Sequence, residues 1–177
     1  MIPKNQTYGN DYKVIGKVCD EVKVMAYDQD NADIVFNKAK GKSGYYIPIA
    51  DPAWVEQVIR ETLKTIPAKK VVLGVPTYSR EFSVSTSTLG YQYKVVHSLS
   101  YRDAMSLAQR IGVIPIRNNA DELGYSFATS TGTHVVSITD AVSIADKIAL
   151  AKKYNLKGVA VFKVDGDEDQ SLWNVIK

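Results

Sequence analysis

The sequence predicts an α/β fold built on parallel strands. Three apolar runs, at residues 22–28, 71–76 and 158–164, have the composition of strands that are covered on both faces of a sheet. Amphipathic helices lie between these runs, and this alternation is typical of parallel strands joined by right-handed crossovers. The 177 residues suffice for one domain, or for one domain that carries an insertion.

The helices are predicted from capping residues and from the spacing of apolar side chains. Asp51 precedes a proline and opens a helix over residues 52–65, in which apolar residues recur every three or four positions. Asp140 opens a second helix that extends to Tyr154. A short helix near residues 171–176 ends the sequence.

Residues 78–139 interrupt the alternation, because they contain no further buried run. Within them, Ser83–Thr88 is rich in serine and threonine, and we expect a loop there. Ser100 begins a capping box for a helix that ends at Gly112. Alternating apolar residues on both sides of residues 130–133 predict a hairpin. The sequence therefore predicts a small inserted α+β subdomain.

Composition argues against several classes of protein. Hydrophobic residues make up 45% and charged residues 23%, as in ordinary globular proteins. The net charge of +3 gives little electrostatic support for a nucleic-acid partner, so none is expected. One cysteine and two scattered histidines make no zinc set, and we expect neither a metal nor a cofactor. No apolar stretch reaches the roughly 20 residues of a membrane span.

Polar and aromatic side chains follow the predicted strands. They are Tyr27, Asp28 and Gln29 after the first strand, Thr77, Tyr78 and Arg80 after the second, and Asp165, Asp167 and Glu168, in an acidic stretch, after the third. Because the carboxyl ends of parallel strands meet at one edge of a sheet, these side chains are expected to form one site. Their chemistry suits a polar ligand that is rich in hydroxyl groups.

Three segments, in this order, resemble the last part of the family 18 glycoside hydrolases, the chitinase-like (β/α)8 barrels. Residues 25–28 (Met-Ala-Tyr-Asp) resemble the sixth-strand motif of that family, residues 74–80 (Gly-Val-Pro-Thr-Tyr-Ser-Arg) its seventh strand, and residues 158–162 its eighth. Residues 11–17 resemble the short fifth helix, and residues 78–139 fall where many members carry an insertion. The Ala-Tyr-Asp-Gln sequence at residues 26–29 and the compact insertion are most similar to bacterial members that act on cell-wall or spore peptidoglycan.

The resemblance implies a fold and a division into domains. The chain is expected to be the C-terminal part of a (β/α)8 TIM barrel, about strands six to eight, with a small α+β chitinase-type insertion. Residues 1–77 and 140–177 would form the partial barrel, and residues 78–139 the insertion. An open partial barrel leaves strand edges unpaired, so its expected partners are the missing N-terminal half of the barrel or another copy of the chain. The implied location is extracellular, or at the cell envelope or spore surface.

The resemblance also implies a reaction on polysaccharides that contain N-acetylglucosamine, such as chitin or peptidoglycan. In this retaining, substrate-assisted mechanism, the acetamido oxygen of the sugar attacks the anomeric carbon while a glutamic acid protonates the leaving oxygen. Tyr27 and Asp28 are the implied catalytic residues, because they would hold the acetamido group. The residues assigned to substrate binding are Met25, Gln29, Tyr78, Arg80 and Phe162, with Phe162 as the floor of the subsite.

The sequence departs from the family pattern in three places. The string Asp-x-x-Asp-x-Asp-x-Glu, which carries the general acid, does not occur. Phe162 stands where the family has tryptophan, and Ser79 stands where it has glycine. The isolated chain is therefore expected to be inactive. Two alternatives stay open, namely a non-catalytic carbohydrate-binding or structural descendant of such a barrel, and an unrelated compact α/β domain.

Overall fold

The computed structural model describes residues 11–41, 44–88 and 90–176, which form helices and two sheets. The helices are α1 (Tyr12–Val18), α2 (Gln29–Ala32), α3 (Ile34–Lys40), α4 (Pro52–Thr62), α5 (Tyr101–Ile111), α6 (Ala141–Lys153) and α7 (Leu172–Val175). The strands are β1 (Val22–Met25), β2 (Val71–Pro76), β3 (Ser79–Ser87), β4 (Gly90–Leu99), β5 (Ile116–Arg117), β6 (Leu123–Thr129), β7 (Gly132–Ile138) and β8 (Gly158–Phe162).

The first sheet is parallel and has the strand order β1-β2-β8. Its central strand β2 is buried along its whole length, as the continuous apolar run predicts. Helices α4 and α6 contribute apolar side chains to the same core, in which Val55, Leu73, Val75 and Ile144 are at most 1% exposed. The prediction of parallel strands joined by helices is confirmed for this sheet.

The second sheet is antiparallel and has the order β4-β3-β7-β6-β5. Helix α5 packs on it through Ala104 and Ala108, which lie in one buried cluster with Val136 and Ile138. The hydroxyl of Tyr125 donates a hydrogen bond of 2.8 Å to the carbonyl oxygen of Ala104. The predicted helix after Ser100 and the predicted hairpin, formed by β6 and β7, are both confirmed.

The predicted loop at Ser83–Thr88 is wrong, because most of it belongs to β3. Strand β3 pairs with β4 on one side and with β7 on the other. Threonine has a high strand propensity, and the serines of this segment join the strand because their backbone groups pair with a partner strand. That partner, β4, is an exposed edge strand whose residues show no alternation of buried and exposed positions, so the sequence carries little local signal for it.

Four element boundaries differ slightly from the prediction. The strand expected over 22–28 ends at Met25, and the helix expected over 52–65 ends at Thr62. The strand expected over 158–164 ends at Phe162, because both backbone groups of the next residue bond to a threonine hydroxyl on the neighbouring chain segment. The helix expected to reach Tyr154 ends one residue earlier.

A buried carboxylate beside the antiparallel sheet bonds to the backbone segment that precedes α4. Glu122, which precedes β6, accepts hydrogen bonds of 2.9 Å from the backbone N–H of Ile49 and 2.7 Å from that of Ala50. Nearby, the hydroxyl of Ser137 donates to the carbonyl oxygen of Ile47 at 2.7 Å. Burial raises the pKa of Glu122 and lowers that of Lys147, while the attraction between their charges opposes both shifts. Glu122 and Ser137 therefore hold the backbone of residues 47–50 through specific hydrogen bonds.

The outer strands of the parallel sheet are less covered than its centre. Within the described residues, β1 and β8 each pair on one side only. Met25, Phe162 and Val164 are 56%, 51% and 58% exposed. No helix in the described ranges is long and apolar enough to cross a membrane.

Replacing Glu122 by alanine is expected to destabilise the protein strongly. The change leaves two buried N–H groups without an acceptor, and each such group costs about 1–3 kcal/mol. We therefore expect the free energy of unfolding, measured by urea denaturation, to fall by about 2–5 kcal/mol. The Glu122→Gln variant keeps one acceptor oxygen and should lose less. A loss below about 0.5 kcal/mol for the alanine variant would contradict this account of the junction.

Candidate active site

Three aromatic rings meet at the carboxyl ends of the three parallel strands. Tyr27 follows β1, Tyr78 follows β2, and Phe162 ends β8. The rings of Tyr27 and Phe162 are stacked, with centroids 5.5 Å apart and planes 11° apart. The ring of Tyr78 meets both edge-on, with centroid distances of 6.2 Å and 6.3 Å. The structure thus brings together side chains that are up to 135 residues apart in the sequence.

A glycine in β2 makes room for this arrangement. A Cβ atom on Gly74 would lie 3.0 Å from the ring of Tyr27 and 3.0 Å from the carbonyl oxygen of Val24. Both distances are shorter than ordinary van der Waals contact, and the second involves backbone that has little freedom to shift. The glycine of the seventh-strand motif therefore allows the Tyr27 ring to pack closely over the sheet.

Asp28 presents its carboxylate at the open face of this cluster. Its backbone is left-handed, with φ 61° and ψ 38°, a conformation that aspartate tolerates better than most residues. The side chain is 41% exposed and accepts hydrogen bonds from the hydroxyl of Tyr78 and, at 2.5 Å, from the guanidinium of Arg80. Tyr78, which lies between β2 and β3, and Arg80 of β3 thus fix the orientation of a carboxylate that stays accessible to a ligand.

Arg80 bridges two carboxylates. Its other terminal nitrogen donates to Asp30 at 2.6 Å, and the side chain of Asp30 is only 5% exposed. The guanidinium carbon also lies 5.3 Å from the centroid of the Tyr78 ring, within the range of a cation–π contact. Burial raises the pKa of Asp30, and the charge of Arg80 opposes that rise. Asp30 therefore anchors the arginine that holds Asp28.

The hydroxyl of Tyr27 has no hydrogen-bond partner among the described residues. The residue as a whole is 8% exposed. Burial, together with the negative charge of Asp28, raises the pKa of Tyr27. The hydroxyl therefore keeps its proton and is available as a donor to a ligand at this face.

Gln29 is a correction to the predicted substrate-binding set, because its side chain is fully buried. Its amide nitrogen donates to Asn37 at 2.9 Å and to Tyr46 at 3.3 Å, and its carbonyl oxygen accepts from the backbone N–H of Asp51 at 2.7 Å. Gln29 has no exposed surface, and both its amide nitrogen and its carbonyl oxygen are hydrogen-bonded within the protein. Its side chain therefore holds neighbouring segments together. Met25, in contrast, is exposed at the end of β1.

The acidic stretch after β8 does not converge on the site. Asp165 pairs with Lys163 at 2.5 Å, and Asp167 pairs with Arg102 at 2.7 Å. Glu168 is buried and accepts a hydrogen bond of 2.8 Å from the backbone N–H of Gly166. Two of these carboxylates make short-range contacts, and Asp167 ties the segment after β8 to helix α5. The described residues contain no group of acidic, histidine or cysteine side chains suited to a metal ion.

Sequence reasoning missed Asp30, and it placed Thr77 at the edge of the sheet without giving it a role. Asp30 lies two positions after Asp28, and nothing in the sequence shows that its carboxylate turns back to Arg80. Thr77 precedes Tyr78, and its hydroxyl donates to the carbonyl oxygen of Lys163 and accepts from the backbone N–H of the same residue, at 2.9 Å for the second bond. This clamp holds the end of β8, and with it Phe162, beside β2.

The site therefore combines a stacked aromatic floor, a free phenolic donor and a clamped carboxylate. The model of the family described as glycosyl hydrolases family 18 matches residues 1–167 of the chain. The chain belongs to that family, whose members are (β/α)8 barrels.

Individual relatives agree with the family. The chain is 28% identical over 172 residues to the uncharacterized glycosylase YvbX of Bacillus subtilis strain 168, and the match covers 94% of this chain and 44% of that protein. It is similar in structure to the spore cortex-lytic enzyme SleL of Bacillus megaterium, with 25% identity, a TM-score of 0.71, and coverage of 94% and 35% of the two chains. A chitinase of Chromobacterium violaceum shares the fold at 23% identity and a TM-score of 0.70, with 96% and 48% covered. The chain thus spans less than half the length of each.

Replacing Arg80 by methionine tests the two-carboxylate bridge. The change leaves the carboxylate of Asp30 without its counter-charge, and breaking a buried pair costs about 3–5 kcal/mol. Because Arg80 is 16% exposed, we expect a loss of about 2–4 kcal/mol in the free energy of unfolding, measured in urea.

Two further variants make this test specific. Adding Asp30→Asn to Arg80→Met should recover part of the lost free energy of unfolding, because it removes the negative charge that Arg80→Met leaves buried without a partner. Arg102→Met breaks the exposed pair with Asp167 and should change stability little, because exposed pairs are well solvated. Equal losses for Arg80→Met and Arg102→Met would contradict the bridge.

Proposed function

We propose that the chain supplies the acetamido-binding side of the active site in a glycoside hydrolase that acts on polysaccharide containing N-acetylglucosamine. The observation that carries this proposal is the meeting of Tyr27, Asp28 and Phe162 at one edge of a parallel sheet, with Asp28 clamped by Tyr78 and Arg80. Membership of family 18 supports it, because the family is one of glycosyl hydrolases.

The fold proposal has the same basis. The three parallel strands would be about strands six to eight of a (β/α)8 barrel, formed by residues 1–77 and 140–177. Residues 78–139 would be the insertion subdomain, which the separate antiparallel sheet supports. The exposed outer strands favour a structure that continues on both sides.

Each residue of the site has a role in substrate-assisted hydrolysis. Tyr27 would donate its hydroxyl hydrogen to the acetamido carbonyl oxygen and align that oxygen with the anomeric carbon. The carboxylate of Asp28 would stabilise the positive charge that develops on the cyclised acetamido group. Phe162 would carry the sugar on its exposed face, with Met25 at the edge and with Tyr78 and Arg80 fixing the carboxylate.

The reaction also needs a proton donor for the leaving oxygen, and the family's general-acid string does not occur in this sequence. On this proposal the donor comes from a part of the barrel that lies outside the 177 residues. The SleL relative is a spore cortex-lytic enzyme by name, so we further propose action at the cell envelope or the spore surface.

A second function is a carbohydrate-binding or structural protein without catalysis. Two observations favour it. Phe162 offers less stacking area than tryptophan and no N–H group, and Ser79 is fully buried with a hydroxyl that has no partner among the described residues. Saturable binding of the sugar without any hydrolysis would identify this function.

The decisive variant is Tyr27→Phe in the full-length protein. It removes the proposed donor and leaves the stacked ring in place, so turnover of chitooligosaccharide or peptidoglycan should fall at least about tenfold, which corresponds to about 1.4 kcal/mol. Tyr101→Phe is the matched control, since Tyr101 packs in the core of the insertion and should leave turnover unchanged. Unchanged turnover for Tyr27→Phe would contradict the assigned role.

The open strand edges predict how the isolated 177-residue chain behaves. Unpaired edges and exposed apolar residues such as Met25 and Val164 favour association, so sedimentation at high concentration should show dimers or larger species. Adding the remaining barrel segment as a separate polypeptide should convert these species to a one-to-one complex. A monodisperse monomer at high concentration would contradict the partial-barrel proposal.

A further inference from the structure

A cavity of about 600 Å³ lies beside the candidate active site, between α3 and the hairpin of β3 and β4. Its base is formed by buried residues, Tyr46, Ile47 and Phe82, which are 6%, 6% and 1% exposed. Its volume lies within the range of sites for small ligands. None of the residues that the family resemblance assigned to the substrate lines this cavity.

Aromatic rings form one wall of the cavity. Tyr91 is 36% exposed, and its ring centroid lies 4.8 Å from that of Tyr45 and 6.5 Å from that of Tyr93. The hydroxyl of Tyr93 accepts a hydrogen bond of 2.9 Å from the backbone N–H of Tyr46, which fixes the ring and leaves the hydroxyl hydrogen free to be donated. A fixed, partly exposed aromatic wall with a polar tip suits the apolar face and the hydroxyl groups of a sugar ring.

The charge at the mouth of the cavity is positive. Lys38 from α3 and Lys94 from β4 line it, both are exposed, and neither has an ion-pair partner within the described ranges. Asp30 is the one carboxylate among the lining residues, and its charge is offset by Arg80 at 2.6 Å. The two lysines are therefore available to an anionic group on a ligand.

The cavity and the candidate active site share one connecting residue. Asp30 lines the cavity and also anchors Arg80, which in turn holds Asp28. The cavity therefore lies next to the residues proposed to bind the reacting sugar, where a further unit of the same polymer would be within reach.

We propose that this cavity is a binding subsite for a carboxylate-bearing sugar unit of an N-acetylated glycan, with Tyr91 as the stacking platform and with Lys38 and Lys94 as the partners of the carboxylate. The inference rests on the proposed function and deepens it, because it selects an acidic, peptidoglycan-type polymer over neutral chitin. The positive charges of Lys38 and Lys94, which lie apart from the residues proposed for the reaction, would discriminate between the acidic polymer and chitin.

The test compares the binding of two tetrasaccharides to the full-length protein at low temperature, where the ligand is recovered intact. One is chitotetraose, which is neutral, and the other alternates N-acetylglucosamine with N-acetylmuramic acid, which carries a carboxylate. The Lys38→Gln/Lys94→Gln variant should raise the Kd for the acidic ligand about tenfold and that for chitotetraose less than about twofold, since each exposed ion pair contributes modestly. The effect on the acidic ligand should shrink as salt is added.

Two further variants separate charge from stacking. Lys69→Gln/Lys152→Gln makes the same change of charge at exposed lysines outside the cavity and should leave both affinities unchanged. Tyr91→Ala should weaken both ligands by roughly three- to tenfold, because stacking does not depend on charge.

The outcomes separate this inference from the proposed function. Lysine-dependent binding of the acidic ligand supports the subsite whether or not the protein hydrolyses either polymer. If the protein hydrolyses glycan and the Lys38→Gln/Lys94→Gln variant binds the acidic ligand as tightly as the parent, the subsite is overturned and the proposed function stands. If the Lys69→Gln/Lys152→Gln control weakens binding of the acidic ligand as much as the Lys38→Gln/Lys94→Gln variant does, the subsite is also overturned.

Discussion

The backbone of residues 47–51 is the constraint on which the rest of the structure depends. This segment has no regular secondary structure, yet its N–H groups are bonded to the side chains of Glu122 and Gln29. Glu122 directly precedes β6, and Gln29 begins the helix that follows β1. Because buried backbone groups without partners are costly, separating Glu122 or Gln29 from the segment while it stays buried would be unfavourable.

This constraint explains why the candidate site is rigid on one side. Gln29 follows Asp28 directly, so anchoring Gln29 in the interior fixes the left-handed turn that exposes the carboxylate of Asp28. Arg80, at the start of β3, reaches the same carboxylate where the chain passes from the parallel sheet to the antiparallel one. The antiparallel sheet thus helps to orient a carboxylate that follows β1 of the parallel sheet. Such orientation before the ligand arrives is what electrostatic stabilisation of a transition state requires.

The sequence predicts those features that depend on neighbouring residues and misses those that depend on partners far along the chain. The apolar run of β2 and the cap at Asp140 are local patterns, and the structure has both. Strand β3 was missed in part because its serines and threonines form a strand only beside β4 and β7. Gln29 was misassigned for the same reason, since its buried partners lie eight to 22 residues away. Tyr27 and Tyr78 could be brought together in advance because parallel strands end at a common edge, whereas Phe162 was assigned to the site only through the family resemblance.

Phe162 shows how the two proposed sites depend on each other. A phenylalanine floor, 51% exposed and stacked on Tyr27, gives a bound sugar less contact area than tryptophan and no N–H donor. On the proposed function, the ligand would rely more on the hydroxyl of Tyr27 for its orientation and on contacts away from the reacting bond for its affinity. Binding energy from a remote subsite is able to hold a substrate in its reactive position. The proposed subsite, with a tyrosine wall and two lysines among its lining residues, would supply such contacts to a polymer whose charge complements those lysines.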